Sequence, residues 1–373
     1  MTCRSVGRSH GVSGDYLCQI YKEQLSDYGA WEQKDHAREW ILLAKNLGLH
    51  LSIDECMYCG ELYTFVSNKD AHGGRGAVIA IIRGVKAKTV LKWLRKLPDD
   101  ARNAVIDISM DFSDSMKLIA RSAFPNARIS IDRFHVMQDL TDHLMAVFAE
   151  VRKNLQAQIK HERAAWYKIV EQHAKRRKKY REKRKKTNPK RRKGKKRGRK
   201  IVYRKKDFVP SRMKNGETKQ DFLRRSFYTL RQNPDKWSDE QKERMQMLFE
   251  EFPELKEAFD LKEEFRKLYW SKRDSEKFKD VMPSQEQRNA FKEEVRVNLH
   301  VWYGQVKASK CKEIKTFMKT VKEREEDLLG YYDTFVTNAS AESLNSKIKG
   351  FRTELHGVSS LPFFFYRVCK IFG

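Results

Sequence analysis

The hydrophobic positions before residue 150 follow two alternating patterns. Strand-like runs rich in β-branched and aromatic residues occur at 49–55, 61–68, 77–84, 103–111 and 127–134. Helical spacing of apolar residues occurs at 87–97 and at 113–124, where Ser113 is a candidate N-cap and Pro125 ends the pattern. The third run is apolar throughout, which predicts a strand buried on both faces. The predicted order is therefore β-β-β-α-β-α-β with short connections.

A three-stranded meander followed by α-β-α-β is the strand order of the ribonuclease-H fold. Later in the chain the pattern becomes helical, with predicted helices at 223–237, 238–252, 253–270 and 284–309. Ser238 and Gln241 form a capping box before one of them. A further helix begins near residue 337. We therefore predict an α/β protein whose ribonuclease-H-like catalytic core is interrupted by a large all-α insertion.

The domain boundaries follow from these changes of pattern. We expect a short helical N-terminal region over 1–47, with helices at 16–26 and 35–48. The first part of the core covers 48–150, and a helix with a basic, flexible segment covers 151–222. The all-α insertion domain covers 223–330. The C-terminal part of the core, 331–373, then carries the last predicted helix.

The charge is concentrated in one segment. The 373 residues have a formal net charge of +28, and residues 175–206 hold 22 Lys or Arg and one Glu, which is +21 of that total. Such a run repels itself, so we expect it to be at least partly disordered without a partner. A balance this basic indicates a polyanion, either nucleic acid or an anionic membrane surface. A membrane is disfavoured because the chain shows no amphipathic anchor, no secretory signal and no apolar run of about 20 residues.

We therefore assign the basic segment to DNA binding through phosphates. The predicted DNA-binding residues are Lys175, Arg176, Arg177, Lys178, Arg184, Lys185, Lys190, Arg191, Arg192, Lys195, Lys196, Arg197 and Arg199. The alternative is a flexible solvated linker. The six cysteines are sparse, which indicates reduced thiols. The one CxxC, Cys56–Cys59, is weak evidence for zinc, because a tetrahedral site needs four ligands.

Acidic residues stand where a ribonuclease-H-like core needs metal ligands. Two-metal phosphoryl transfer uses hard oxygen ligands. The first core strand offers Asp54 and Glu55, and we prefer Asp54 because it lies on the strand face opposite Leu51 and Ile53. Both could instead be ordinary strand-end charges.

The fourth core strand and the last helix offer further acids. Of Asp107, Asp111 and Asp114, we prefer Asp111, because it stands at the strand-to-helix junction, where ligands gather in such sheets. On the last helix, Glu342, Asn345 and Lys349 form a polar stripe at i, i+3 and i+7. A carboxylate, an amide and an ammonium on one face suit a metal ligand beside DNA phosphates. A solvated helix face is the alternative.

These residues carry a family resemblance. "SIDE" (52–55), "ISMDFSDSMKLIARSAFPNARISIDRFHV" (108–136) and "TNASAESLNSKIKGF" (337–351) resemble DDE transposases of bacterial insertion sequences, of the ISL-three family, which is related to the Mutator-like and hAT-like groups. The resemblance covers roughly residues 48–150 and 220–365. It implies a catalytic, metal-binding trio that matches Asp54, Asp111 and Glu342 here. It also implies two Mg²⁺ or Mn²⁺ ions.

The resemblance also interprets "DRFHV". Related families place an Asp or Cys, two residues and a His after the fifth strand, and Asp132 and His135 fit that spacing. They resemble an accessory pair near the site, together with Asn345 and Lys349. Two alternatives remain open. Asp132 could itself be the second metal ligand, or it could be a strand-end acid paired with Arg133.

The resemblance implies a function and partners. It implies metal-dependent cleavage of DNA ends and strand transfer, with double-stranded DNA at transposon ends and target as substrate. It further implies a homodimer or higher multimer on DNA and a cytoplasmic, nucleoid-associated bacterial enzyme. Because only residues 1–47 precede the core, a separate polypeptide could recognise the ends. The alternatives are a decayed, non-catalytic DNA-binding protein and a nuclease that cuts without joining.

Overall fold

The computed structural model describes residues 3–187, 207–269, 284–334, 339–355, 358 and 360–373. The chain forms two compact units. The sheet unit contains Met1–Asp139, Arg266–Val301 and Met318–Gly373, and the helical unit contains Leu140–Phe265 and Trp302–Phe317. Within the described residues no helix is long and apolar enough to cross a membrane.

One mixed sheet organises the sheet unit. Its strands are β1 (Trp40–Leu42), β2 (His50–Tyr58), β3 (Glu61–Asn68), β4 (Val78–Arg83), β5 (Asp107–Met110) and β6 (Arg128–Ile131). The spatial order is β1-β4-β3-β2-β5-β6. β3 is antiparallel to both β2 and β4, whereas β2, β5 and β6 are mutually parallel. The five predicted strands are therefore present as β2 to β6, in the predicted order along the chain. The protein is a mixed α/β protein.

The β2–β3 hairpin shows why these residues fold locally. Its turn is Cys59–Gly60, and both residues have positive φ, +50° and +80°. Two successive residues with positive φ are typical of the tight hairpin turns that match strand twist. Tyr63 and Phe65 on β3 are buried.

The edge strand β1 contradicts the sequence prediction. We predicted a helix over 35–48, but Trp40–Leu42 pairs antiparallel with β4, from Trp40 opposite Ile82 to Leu42 opposite Ala80. Ile41 is fully buried in this arrangement. Pairing with a neighbouring strand from elsewhere in the sequence outweighs local helical spacing here, because a short apolar run fits both patterns.

Helices occupy most of the remaining chain. In chain order, the α-helices are Cys3–His10, Gly14–Ile20, Ala87–Leu94, Asp99–Asn103, Asp114–Ala123, Arg133–Thr187, Lys219–Arg231, Asp239–Glu251, Pro253–Tyr269, Gln285–Ala308, Lys312–Glu323, Glu325–Leu329, Tyr331–Thr334, Ala339–Glu354 and Leu361–Phe372. A π-helix follows at Tyr21–Leu25, and 3-10 turns occur at Ala44–Asn46, Lys69–Ala71 and Pro234–Lys236. The helix predicted over 16–26 and the helices predicted between 223 and 309 are confirmed.

Two C-terminal helices cover one face of the sheet. We call Ala339–Glu354 the Asn345 helix and Leu361–Phe372 the C-terminal helix. They share one hydrophobic cluster with β2, β3 and β4, which includes Cys56, Tyr58, Leu344, Ile348 and Phe365. The Asn345 helix is thereby fixed on the sheet face that Asp54 shares with Cys56, since strand side chains alternate.

The helical unit has its own core. Phe265, Trp302 and Phe317 pack with ring centroids 4.9–6.2 Å apart, and the Trp302 indole N–H donates to the Leu261 carbonyl at 2.9 Å. The capping box predicted at Ser238 and Gln241 is present before Asp239–Glu251. Each such cap satisfies backbone N–H groups that the helix leaves free.

Candidate metal centre and active site

Three aspartates stand side by side across three parallel strands. The last register pairs are Ile53 with Met110 and Met110 with Ile131. The next residues in each strand are Asp54, Asp111 and Asp132. The Asp132 N–H donates to the Met110 carbonyl at 2.8 Å and so continues this register. Residues at equal register on neighbouring strands lie on one face, so the strand pairing itself brings these acids together.

Asp54 is held by two donors. Its Oδ1 accepts from the Glu55 backbone N–H at 2.7 Å, and its Oδ2 accepts from the Asn345 side-chain amide. The Asn345 amide oxygen in turn accepts from the Cys56 thiol, with Sγ and Oδ1 3.5 Å apart. Burial, and next the Asp111 carboxylate, raise the pKa of Asp54 above its ordinary value. A nearby cation would stabilise the ionised form of such a carboxylate.

Asp111 contacts His135, which lies in the first turn of the helix Arg133–Thr187. The His135 Nε2 lies 2.9 Å from Asp111 Oδ1 and 3.8 Å from Asp132 Oδ2. Burial lowers the pKa of His135, but the carboxylates of Asp111, Asp132 and Asp54 outweigh burial and raise it above 6.5. Although the Asp111–His135 ion pair is close, the buried Asp111 Oδ1 accepts no well-aligned hydrogen bond from the described residues.

Asp132 has a second, structural contact. Its Oδ1 accepts from the Phe134 backbone N–H at 3.0 Å, and its carbonyl accepts from Val136. These bonds make it the N-cap of the helix that carries His135. The neighbouring Arg133 lies over the rings of Tyr331 and Tyr269, at 4.4 and 5.2 Å from the centroids.

Asp54, Asp111 and His135 could hold a metal ion. One ligand atom from each lies within 4.8 Å of the other two. In the described part of the chain, this is the group of three or more His, Cys, Asp or Glu side chains that lie this close together. Carboxylate oxygens are the ligands Mg²⁺ takes, and imidazole is more typical of softer divalent ions. The Asp111 oxygen without an aligned donor also fits a metal ligand.

A family model of DDE transposases of the ISL-three type, described as "Transposase", matches residues 51–194 and 195–368. The chain belongs to this family. No curated protein matches the chain, and no solved structure matches it.

The transposase match includes the helix that carries Glu342. Glu342 is exposed and lies three residues before Asn345, hence about one turn away on the same helix face. It does not join the trio whose ligand atoms lie within 4.8 Å. Lys349 is exposed and follows Asn345 by one turn. Burial and Asp54 raise the pKa of Cys56 to about 12, against the opposing effect of Lys349.

A loop between β3 and β4 holds the start of this helix. The Ser340 hydroxyl donates to the Lys69 carbonyl at 2.8 Å, and the Lys347 ammonium donates to the Gly73 carbonyl at 2.8 Å. Gly73 has φ +65°, and a Cβ there would lie 2.9 Å from the Leu344 backbone nitrogen. A glycine is therefore needed for the helix to approach this closely.

The other acids have different partners. Asp107 is buried and pairs with both Lys69 and His50. Asp114 is exposed and pairs with Arg324. Glu55 is half-buried, and burial followed by Asp111 raises its pKa. Their surroundings differ from that of Asp111, whose carboxylate faces Asp54 and His135.

The two CxxC cysteines lie in different environments. Cys56 is buried against the Asn345 helix, whereas Cys59 is exposed in the β2–β3 turn. All six cysteines are unpaired thiols. The metal-binding group found among the described residues includes neither Cys56 nor Cys59.

The basic segment is helical over its first part. The helix Arg133–Thr187 includes Lys175, Arg176, Arg177, Lys178 and Arg184, all exposed. Lys175 pairs with Glu171 at 2.8 Å. Lys185 belongs to the same helix. The predicted DNA-binding residues from Lys190 to Arg199 lie outside the described residues.

Two contacts went unnoticed in the sequence. The hydrogen bond from Asn345 to Asp54 and the ion pair of His135 with Asp111 join distant segments. The polar stripe containing Asn345 and the Asp-x-x-His spacing were the signals for them. Neither signal identifies the partner, because the partner depends on strand register and helix docking.

Proposed function

We propose that this protein is the DNA transposase of an insertion sequence, which cuts DNA at the element's ends and joins the freed ends to target DNA. The observation that carries the proposal is the adjacency of Asp54 and Asp111 at neighbouring positions of parallel strands β2 and β5. Ligand sites in α/β sheets gather at the carboxyl ends of strands.

The topology supports a ribonuclease-H-like core. The order β4-β3-β2-β5-β6, with β3 antiparallel to its two neighbours, is the order expected for that fold. The helices between β6 and the Asn345 helix then correspond to an all-α insertion. This assignment joins the two acidic strands and the Glu342 helix into one catalytic core.

Asp54, Asp111 and Glu342 would hold two Mg²⁺ or Mn²⁺ ions. Bound divalent ions stabilise the attacking and leaving oxygens of an in-line phosphoryl displacement. The contact of Asn345 with Asp54 supports the inclusion of Glu342, because these helix residues are neighbours at i and i+3. Asn345 then orients Asp54, and Cys56 orients the Asn345 amide.

His135 and Asp132 would support Asp111. His135 holds the Asp111 carboxylate, and Asp132 caps the helix that presents His135. In this arrangement Asp132 is a positioning residue and Asp111 is the second metal ligand. The shorter contact of His135 with Asp111, 2.9 Å against 3.8 Å to Asp132, supports that assignment.

DNA would be bound mainly through its phosphates. The exposed lysines and arginines at the end of the helix Arg133–Thr187 continue into the strongly basic sequence up to residue 206. Such contacts bind without reading sequence and weaken steeply with salt. A multimer on paired ends, and a separate polypeptide that recognises those ends, complete the proposal.

The test is cleavage and joining of a labelled DNA fragment that carries the element's ends. Wild type, Asp111→Asn and Glu342→Gln are compared with Mg²⁺, with Mn²⁺ and with EDTA. Asp100→Asn serves as a matched control, because Asp100 is an exposed acid of the sheet unit. We expect metal-dependent products that both site variants lose while DNA binding remains.

The outcomes separate three functions. Joined product identifies a transposase, and cut product without joining identifies a nuclease. Binding without any product in the wild type, also after addition of a candidate end-recognition polypeptide, would indicate a decayed DNA-binding protein. Products that persist in both variants would contradict the carboxylate site.

A further inference from the structure

A stack of three rings lies at the edge of the sheet. The ring centroids of His36 and Trp40 are 3.6 Å apart with planes at 5°, and those of Trp40 and Trp93 are 4.6 Å apart with planes at 17°. Trp40 belongs to edge strand β1, and Trp93 to the helix Ala87–Leu94, which we call the Trp93 helix. All three rings are half-buried, so the stack reaches the surface.

Two lysines lie against this stack. The Lys96 ammonium is 4.5 Å from the Trp40 centroid and 4.6 Å from the Trp93 centroid, and the Lys92 ammonium is 4.5 Å from Trp93. An ammonium over an indole ring is attracted by the ring quadrupole. The rings thus restrict the Lys92 and Lys96 side chains before any ligand binds. Less rotamer entropy is then lost on binding than for two freely rotating lysines.

The same segment has an uncompensated positive charge. Residues 84–98 contain five basic residues and no acidic one. These are exposed, namely Lys86, Lys88, Lys92, Arg95 and Lys96. None of the five forms an ion pair with a carboxylate in the described part of the chain. By contrast, the preceding Arg83 pairs with Glu39 and Glu61.

We propose that the Trp93 helix and the turn after it form a second DNA-backbone contact surface, in which the ring stack holds Lys92 and Lys96 ready for phosphates. The inference rests on the proposed function for its partner, and it concerns residues other than those of the basic segment 175–206. Clustered cations without carboxylate partners match the repeated phosphates of DNA. Fixed ammonium groups lose less entropy when phosphates bind them.

The first test is the salt dependence of binding to a labelled random-sequence DNA duplex, measured by fluorescence anisotropy without metal. The variant carries Lys88→Ala, Lys92→Ala and Lys96→Ala. The control carries Lys214→Ala, Lys242→Ala and Lys256→Ala, which remove the same charge from lysines that pair with Glu250, Asp239 and Asp260. Both variants keep the basic segment.

We expect the slope of log affinity against log salt to fall by about two to three in the test variant, since each lost phosphate contact contributes about 0.9. The control slope should change by less than about one. Equal slopes and affinities in the two variants would overturn the inference. A wild type that binds DNA and gives no cleaved product would contradict the proposed function, whereas a difference in slope between the two variants would still support this surface.

A second measurement examines the ring stack itself. Trp93→Leu keeps every charge, so we expect affinity to fall about threefold with the slope unchanged. Chemical acetylation followed by mass spectrometry should show Lys92 and Lys96 protected by DNA. If protection instead rises with protein concentration in the absence of DNA, the surface is a contact between copies of the chain, and the proposal is wrong.

Discussion

The Asn345 side-chain amide donates a hydrogen bond to the Asp54 carboxylate across 291 residues of sequence. Its amide oxygen accepts from Cys56, which fixes the orientation of the Asn345 amide and leaves its N–H₂ group toward Asp54. Asn345 thus adds a polar contact between β2 and the helix that carries Glu342, beside the hydrophobic contacts of Leu344 and Ile348.

Asn345→Ala should lower metal-dependent DNA cleavage about 10- to 100-fold, because it removes the donor that orients a proposed metal ligand. Ser346→Ala, at the next and exposed position, is the matched control and should keep full activity. Initial cleavage rates at several Mn²⁺ concentrations provide the measurement. Equal rates for the two variants would show that Asn345 does not position Asp54.

Asp54→Asn should stabilise the metal-free protein by about 1 kcal/mol at neutral pH. Burial and Asp111 raise the pKa of Asp54, so the ionised carboxylate is less favourable in the folded chain than in the unfolded one. The protonated Asp54 carboxyl therefore contributes to the stability of the fold. This contribution is complete below the unfolded pKa of 3.8 and is lost as the pH rises through the raised folded pKa. Chemical denaturation in EDTA measures the change, with Asp100→Asn as the control that should show no gain.

Divalent metal should reverse the order of stability of the two proteins, so that the wild type becomes more stable than Asp54→Asn. With the proposed metal centre, Mn²⁺ should raise the melting temperature of the wild type, because a ligand that binds only the folded state stabilises it. The rise should be smaller in Asp54→Asn, which loses a proposed ligand. Equal melting shifts in the two proteins would argue against a metal centre at Asp54.

The pKa of His135 should fall in the metal-free Asp111→Asn variant. In the wild type, burial lowers this pKa while the Asp111 carboxylate and its neighbours raise it above 6.5 overall, so the imidazolium stabilises the fold. That stabilisation is complete below pH 6.5 and is lost as pH rises through the higher folded pKa. NMR titration of the imidazole nitrogens measures it, and His135→Gln assigns the signal. A pKa that does not change would show that the pair is not formed in solution.

Gly73→Ala should destabilise the protein by about 1–2 kcal/mol more than Gly76→Ala. Both glycines have positive φ, +65° and +84°, so the backbone strain is shared. Only at Gly73 would the Cβ meet backbone, the Leu344 nitrogen at 2.9 Å, whereas at Gly76 the nearest atom is 4.0 Å away. Urea denaturation of the two variants gives the difference. A larger loss at Gly76 would contradict the close approach of the Asn345 helix.

Lys69→Met should cost about 3 kcal/mol of unfolding free energy, because it leaves the Asp107 carboxylate buried beside His50 alone. Both Lys69 and Asp107 side chains are at most 4% exposed. Lys370→Met, which breaks the exposed pair with Asp27, should cost less than about 0.5 kcal/mol. The same denaturation experiment compares them, and similar costs would mean that the buried pair contributes little.

The identity of the core elements was predictable from local pattern. Five strands and the helices between them occupy the predicted stretches, since period-2 and period-3.6 patterns are properties of short segments. The failure at Trp40–Leu42 has the same origin. A short apolar run fits a helix or a strand, and the partner strand β4, which decides between them, begins 36 residues later.

The sequence by itself determined which acids were available and which strand face each one shares. It placed Asp54 on the strand face opposite Ile53 and Asp111 at the end of a strand. Both follow from local sequence, because side chains alternate along a strand and the strand's end is marked by nearby residues. Only the tertiary structure decided that Asp54, Asp111 and Asp132 align, that Asn345 meets Asp54, and that Asp107 pairs with Lys69. Register between strands and docking of a helix are set by burial across the whole sheet unit, and no short stretch of sequence contains that information.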